Sequence, residues 1–168
     1  MKVMKVVVVY ESHWGNTAAI AKAIAEGIGI EAVALSTSEA SNAVIADADL
    51  IVAGAPVLGF SLPTEAMIKS LGQNLGKDVA APDLSHPSMR AWLEALPPGN
   101  GRSAVFETRI SWSPGGSTKA ILRELEKAGY RPVAEAHRFI VKDRYGPLKE
   151  GELDRAKLWG AELAKAMS

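Results

Sequence analysis

The sequence predicts an α/β fold in which a parallel sheet lies between two layers of helices. Three observations predict it. Val6-Val7-Val8-Val9-Tyr10 is an apolar, β-branched run of the kind buried on both faces at the centre of a parallel sheet. Strand-like and helix-like segments then alternate along the chain, which puts the crossover helices on the two faces of one sheet. A short loop, Ser12-His13-Trp14-Gly15-Asn16-Thr17, joins the first strand directly to the first helix.

The elements follow in order. Val6–Tyr10 is the first strand, and residues 16–27 form the first helix, closed by Gly27 and Gly29. Residues 32–35 make a second, shorter strand, and residues 49–56 a third that ends at Gly54 and Pro56. Residues 64–75 are expected to be helical with Thr64 as the cap, and residues 88–96 to hold a modest helix. The stretch from Gly72 to Gly101 is the least regular, with Pro82, Pro87, Pro97 and Pro98; its end is a turn into a fourth strand at 103–107. Residues 118–128 form a strongly amphipathic helix closed by Gly129, and residues 131–141 the fifth strand, bent near Glu135. Glu152–Met167 is the last helix, with Leu153, Ala156, Trp159, Leu163 and Met167 on one face. Trp92 and Trp159 stand at helical spacing with leucines and read as core. No repeat and no break in composition divides residues 1–168, which read as one domain.

Composition narrows the function. A chain of 168 residues can bury an ample core, and 48% hydrophobic with 23% charged residues is ordinary for a globular protein. The absence of cysteine excludes disulfides, thiolate metal sites and cysteine nucleophiles. Net charge is zero, with no basic stripe or acidic tail, so neither nucleic acid nor an anionic membrane is an expected partner. The apolar runs are too short for a membrane span or a signal-peptide core, and the cytoplasm is the expected location. His86 and His137 stand without a second histidine or a carboxylate at ligand spacing, so no metal site is expected. His13 reads as a surface loop residue.

The first loop carries the chemistry. A hydroxyl-, amide- and glycine-rich loop entering a helix aims N–H groups at one point on the positive end of the helix dipole, where a phosphate sits well. The loop lacks the Gly-Lys-Ser/Thr ending of a triphosphate loop, and no G-x-G-x-x-G follows the first strand. No Lys or Arg occurs between Val6 and Ala21, so amides and hydroxyls alone would hold the anion. That suits one terminal monophosphate. The alternative is that Asn16 or Thr17 simply caps the helix.

Ser12-His13-Trp14-Gly15-Asn16-Thr17 resembles the phosphate loop of flavodoxins, in the branch that reads Ser-x-aromatic-Gly-Asn-Thr. The resemblance extends over nearly the whole chain, through Gly146-Pro147-Leu148, Gly151-Glu152-Leu153 and Arg155-Ala156 to Trp159-Gly160. It implies a flavodoxin-like three-layer sandwich with a five-stranded parallel sheet in the order 2-1-3-4-5. The ligand crevice of that arrangement lies outside the carboxyl ends of strands one and three. It also implies FMN. Ser12, Asn16 and Thr17 would bind the phosphate through side chains, and His13, Trp14 and Gly15 through backbone N–H, with the Trp14 ring as a shield. Ala55, Pro56, Val57, Leu58, Gly59 and Phe60 would line one side of the flavin, and Arg109, Trp112, Gly115 and Gly116 the other. Trp14 stands where other members have threonine, which removes one hydroxyl ligand. Phe60 and Trp112 sit beside Gly and Pro outside regular elements, where contact with a flat ligand is more natural than a core role.

The family includes low-potential electron carriers, quinone reductases and porphyrinogen oxidases. The expected function is therefore that of an FMN-binding redox protein, an electron carrier or FMN-dependent oxidoreductase, working with a redox partner protein or a small-molecule electron acceptor. A flavodoxin fold without cofactor, acting as an interaction or regulatory module, is the alternative. Receiver-type phosphotransfer is excluded because the third strand ends Val52-Ala53-Gly54-Ala55-Pro56, without the aspartate it needs. There is no G-x-S-x-G elbow for hydrolysis. The loop after the third strand has no acid before Glu65, and the other has Arg109 and no acid from Thr108 to Ser117. Full reduction of a flavin there should be easier than beside the acidic loops of typical flavodoxins.

Overall fold

The computed structural model describes residues 4–73 and 75–168. Strands β1 (Val6–Tyr10), β2 (Ala32–Ser36), β3 (Leu50–Pro56), β4 (Arg102–Ile110), β5 (Arg131–Pro132) and β6 (His137–Val141) form one sheet. Helices α1 (Asn16–Ile28), α2 (Asn42–Ile45), α3 (Glu65–Ser70), α4 (Met89–Glu94), α5 (Thr118–Lys127) and α6 (Glu152–Met167) flank it. The order is β2-β1-β3-β4-β5, with β6 also on β4, and the named strand pairings are parallel. Val8 stands opposite Ala34 on one side and Val52 on the other, and Val52 opposite Ala104. The expected order is observed.

The period of two along each strand divides the core. Val6, Val8, Leu50, Val52, Ala104 and Phe106 meet Ile20 and Ile24 of α1 and Ala156, Trp159 and Leu163 of α6. Val7, Val9, Ile51, Ala53, Ala55 and Val105 meet Met89, Trp92 and Leu93 of α4 and Ile121 and Leu125 of α5. Both tryptophans expected in the core are there.

Several boundaries differ from expectation. The fifth strand is two segments: Pro132 pairs with Ser103 and His137 with Phe106, so five steps on the edge strand match three on β4. Pro132 has no N–H to continue the ladder, and the surplus residues bulge out at the sheet edge. The fourth strand continues to Ile110, because β6 pairs with it from Phe106 to Ile110. Thr64 caps α3 as expected, accepting from Met67 N–H, but the helix ends at Ser70; Asn74, near its expected end, lies outside the described residues. The one-turn α2, capped by Ser41, was not expected.

Gly27 does not close α1, which runs to Ile28 with Gly29 beyond it. It is an interior contact: a Cβ there would overlap the Lys157 carbonyl, and one on Gly160 the Ile24 carbonyl. This backbone-to-backbone packing holds the C-terminal half of α1 against α6. Leu153 is exposed rather than core-facing. Its neighbour Glu152 turns inward to accept from the Ile140 N–H and from Arg155, both at 2.7 Å, and Leu153 stands about 100° round the helix from it.

Candidate functional site

Loops leaving the carboxyl ends of β1, β3, β4 and β6 meet at one edge of the sheet. Between them opens a narrow cleft with a cavity volume of about 70 Å³. It is lined by Ser12, His13, Trp14, Asn16 and Thr17, by Pro56, Val57 and Leu58, by Thr108, Arg109 and Ile110, and by Val141 and Arg144. A shallower hollow continues from it over Val57, Leu58, Gly59 and Phe60 toward Met67, Ser113 and Arg144.

The first loop turns into α1 at Gly15, whose φ of 92° is the left-handed conformation that glycine adopts without a steric cost. Ser12 Oγ accepts from the N–H groups of Gly15 and Ala18, both at 3.2 Å. The N-cap position is Gly15, which has no side chain, so Ser12 Oγ takes the Ala18 N–H of the first turn in its place. Asn16 instead donates from Nδ2 to the Tyr145 carbonyl at 3.2 Å, and Thr17 Oγ1 shares a 2.8 Å hydrogen bond with Thr108 Oγ1. Both side chains tie the loop to its neighbours, so the capping alternative does not describe them. The N–H groups of the first turn have no intrahelical acceptor by geometry and face the cleft end of the helix.

His13 is not a surface residue. It is 7% exposed, with Nε2 2.7 Å from Glu11 Oε2 and Nδ1 2.9 Å from the Asp83 carbonyl. A carbonyl only accepts, so Nδ1 carries a proton, and Nε2 faces a carboxylate. Burial opposes the charge on the ring. The hydrogen bonds to Glu11 and Asp83 and the charges of both acids outweigh it and raise the His13 pKa above its ordinary value. Glu11, 1% exposed, also accepts from the Met89 N–H at 2.7 Å. The irregular segment 77–88 is thereby laced over the loop, with further bonds from Asp83 N–H to the His13 carbonyl (2.8 Å) and from Trp14 Nε1 to the Ala80 carbonyl (3.0 Å).

The other two loops are stitched to each other. Gly116 N–H donates to the Phe60 carbonyl at 3.1 Å. Gly115 has φ 77°, and a Cβ on it would overlap that same carbonyl, so the approach requires glycine. Arg109 Nη1 donates to the Gly115 carbonyl and to Glu107 Oε2, both at 2.7 Å. The rings of Phe60 and Trp112 are 60% and 77% exposed.

Solved structures share this architecture along the full chain. A flavodoxin from the domain Archaea superposes with a TM-score of 0.69 at 22% identity, covering 98% of this chain and 99% of that one. Flavodoxin 1 from Bacillus cereus gives 0.66 at 18% identity, with 98% and 99% covered. The Flv1 flavodiiron core from Synechocystis gives 0.61 at 22% identity, covering 98% of this chain and 36% of that larger one. The chain has the flavodoxin fold. No protein-family model and no curated protein matches the sequence.

Within the flavodoxin fold, the predicted residues fall into three groups. Ser12, His13, Trp14, Asn16, Thr17, Pro56, Val57, Leu58 and Arg109 line the cleft, and Gly59 and Phe60 extend it. Gly15, Gly115 and Gly116 shape the loops around it. Ala55 is buried in the core under α4 and α5, so only its backbone is near, and Trp112 stands out from both hollows. Glu11, Thr108, Ile110, Val141 and Arg144 were not anticipated. Arg144, 5.7 Å from the centre of the Tyr145 ring, brings a cation to the cleft, so amides and hydroxyls are not alone there. An acid also stands beside Arg109: Glu107, just outside the stretch read as free of acids. His86 lies 3.2 Å from the Asp83 carboxylate, and His137 stacks on Trp159. No helix among the described residues is long and apolar enough to cross a membrane.

Proposed function

We propose that this chain binds FMN and acts as a redox protein, either an electron carrier or an FMN-dependent oxidoreductase. The observation that carries the reading is the polarity of the cleft. One end is the start of a 13-residue helix with a serine and a threonine hydroxyl beside it; the other is lined by Pro56, Val57, Leu58 and Ile110. A ligand with a terminal monophosphate, a polar linker and a flat ring matches that gradient.

The residues fit the group. Ser12 Oγ accepts twice within the loop and its own proton has no acceptor among the described residues, which leaves it to donate to a phosphate oxygen. Asn16, Thr17 and the N–H groups of His13 and Trp14 would complete the phosphate site, with the Gly15 N–H shared between it and Ser12 Oγ. Pro56, Val57, Leu58, Gly59 and Phe60 would pack one side of the ring, and Arg109, Gly115 and Gly116 the other. FMN, when bound, supplies one- and two-electron transfer. The protein excludes water from the ring with its apolar wall, orients it by the stitched loops, and leaves Phe60 and Trp112 facing solvent, where a redox partner protein or a small-molecule acceptor would approach.

Reconstitution tests this. Protein incubated with excess FMN and passed through a desalting column should keep a flavin absorbance band in about equal stoichiometry. Loss of all flavin on the column would overturn the reading and favour a cofactor-free module.

A further inference from the structure

Arg109 is 5% exposed and lines the cleft. Its hydrogen bonds all leave from Nη1; its Nε is buried without an acceptor, a condition shared among the described residues only by the Ser103 hydroxyl inside the sheet. A buried charged donor without a partner is costly, and native structures keep one where something else satisfies it. The acid beside it is already engaged. Glu107 Oε1 accepts from Ser117 N–H at 2.8 Å and Thr118 N–H at 3.2 Å, at the positive end of the ten-residue α5. The carboxylate charge is thus shared with a helix start, and the pair does not cancel at the cleft.

We propose that Arg109 reads the redox state of the ring. Its free Nε–H donates to an electronegative atom on the ring edge, and its uncancelled charge makes the cleft hold reduced FMN more tightly than oxidised FMN. This rests on the FMN reading above. Uptake of two electrons from the reductant and one proton from water leaves the flavin with one more negative charge. No bond to Arg109 forms or breaks, and the guanidinium stays protonated throughout. His13 and Arg144 also line the cleft, but His13 is paired with Glu11, and Arg144 is exposed, so its field is screened by salt while that of Arg109 is not.

The test compares wild type with Glu107→Gln, Arg109→Gln and the double variant. Each is checked by thermal melting, then titrated with FMN oxidised and with FMN reduced by dithionite. The double variant keeps a neutral hydrogen-bonded pair and guards against misfolding of the single ones. The ratio of the two affinities is the readout, measured at low and high salt. Arg109→Gln and the double variant should each lower the preference for reduced FMN about tenfold, equivalent to a fall of about 30 mV in the two-electron potential. Glu107→Gln should raise it. Salt should leave these shifts in place. A double variant with the wild-type ratio would mean that the two residues cancel as an ordinary ion pair, and would overturn the proposal while FMN binding stands. Ratios within twofold of wild type in all three would do the same. A wild type that binds FMN in neither state would remove the FMN reading and this inference together.

Discussion

Replacing His13 with alanine should loosen segment 77–88 from the first loop. The substitution strips the buried Glu11 carboxylate of its partner at 2.7 Å and leaves it one hydrogen bond, from the Met89 N–H. Removing one member of a buried ion pair costs about 3–5 kcal/mol. The lower end applies here, because segment 77–88 is mostly exposed and can open to hydrate Glu11 while the sheet stays intact. About 3 kcal/mol in a chain of this size corresponds to a fall in Tm of about 6–12 °C. The effect depends on pH with a definite sign. The folded-state pKa of His13 is raised, so its stabilising contribution is complete below the unfolded value of about 6.5 and is lost as pH rises through the folded one. The Tm gap between wild type and variant should therefore be widest at about pH 6 and narrow at alkaline pH, where the neutral ring keeps its Nδ1–H bond to the Asp83 carbonyl. Thermal melts across that range, with hydrogen exchange at the Met89 and Asp83 amides, measure both parts. A gap under about 2 °C at pH 6, or one that widens toward alkaline pH, would refute the reasoning.

Four further substitutions separate binding from folding. Phe60→Ala and Trp112→Ala remove exposed rings, so each should change stability by less than about 0.5 kcal/mol. Phe60→Ala should weaken FMN about threefold to tenfold in a fluorescence titration, the worth of an aromatic contact, and Trp112→Ala, outside both hollows, by less than about twofold. Ser12→Ala should weaken FMN tenfold or more, about the value of a hydrogen bond to a charged group, and leave riboflavin affinity unchanged. Gly54→Ala puts a methyl into the ring of the fully buried Phe106 and should destabilise the protein by about 1–3 kcal/mol in urea denaturation, with flavin affinity measured on the folded fraction intact.

What was legible in the sequence follows from the range of the interactions involved. The central strand and the start of α1 are declared by contiguous residues, Val6–Val9 and the loop after them, so they could be read locally. Two of the three buried acids carry a local signal in the sequence. Glu11 with His13, and Glu107 with Arg109, are each two residues apart, the spacing that puts side chains on the same face of an extended segment. Arg144 and Tyr145 reach the cleft from the far end of the chain, and nothing near the first loop announces them. The lacing of segment 77–88 over the loop is equally silent, because it uses backbone carbonyls at Ala80 and Asp83 that any residue could supply. Leu153 was misread because helical spacing places an apolar residue on a face but does not show that an acid beside it has a strand N–H to satisfy.

The central claim is that the loop from Ser12 to Thr17 holds a terminal phosphate while the neighbouring loops hold the ring. The most direct test is the ratio of dissociation constants for FMN and riboflavin, measured by quenching of flavin fluorescence on the same protein. The two ligands share ring and ribityl chain and differ only in the phosphate. FMN binding at least a hundredfold more tightly, the worth of about 2.7 kcal/mol at the loop, is the predicted result. Equal affinities would contradict the account, because they would leave the loop with no part in recognition.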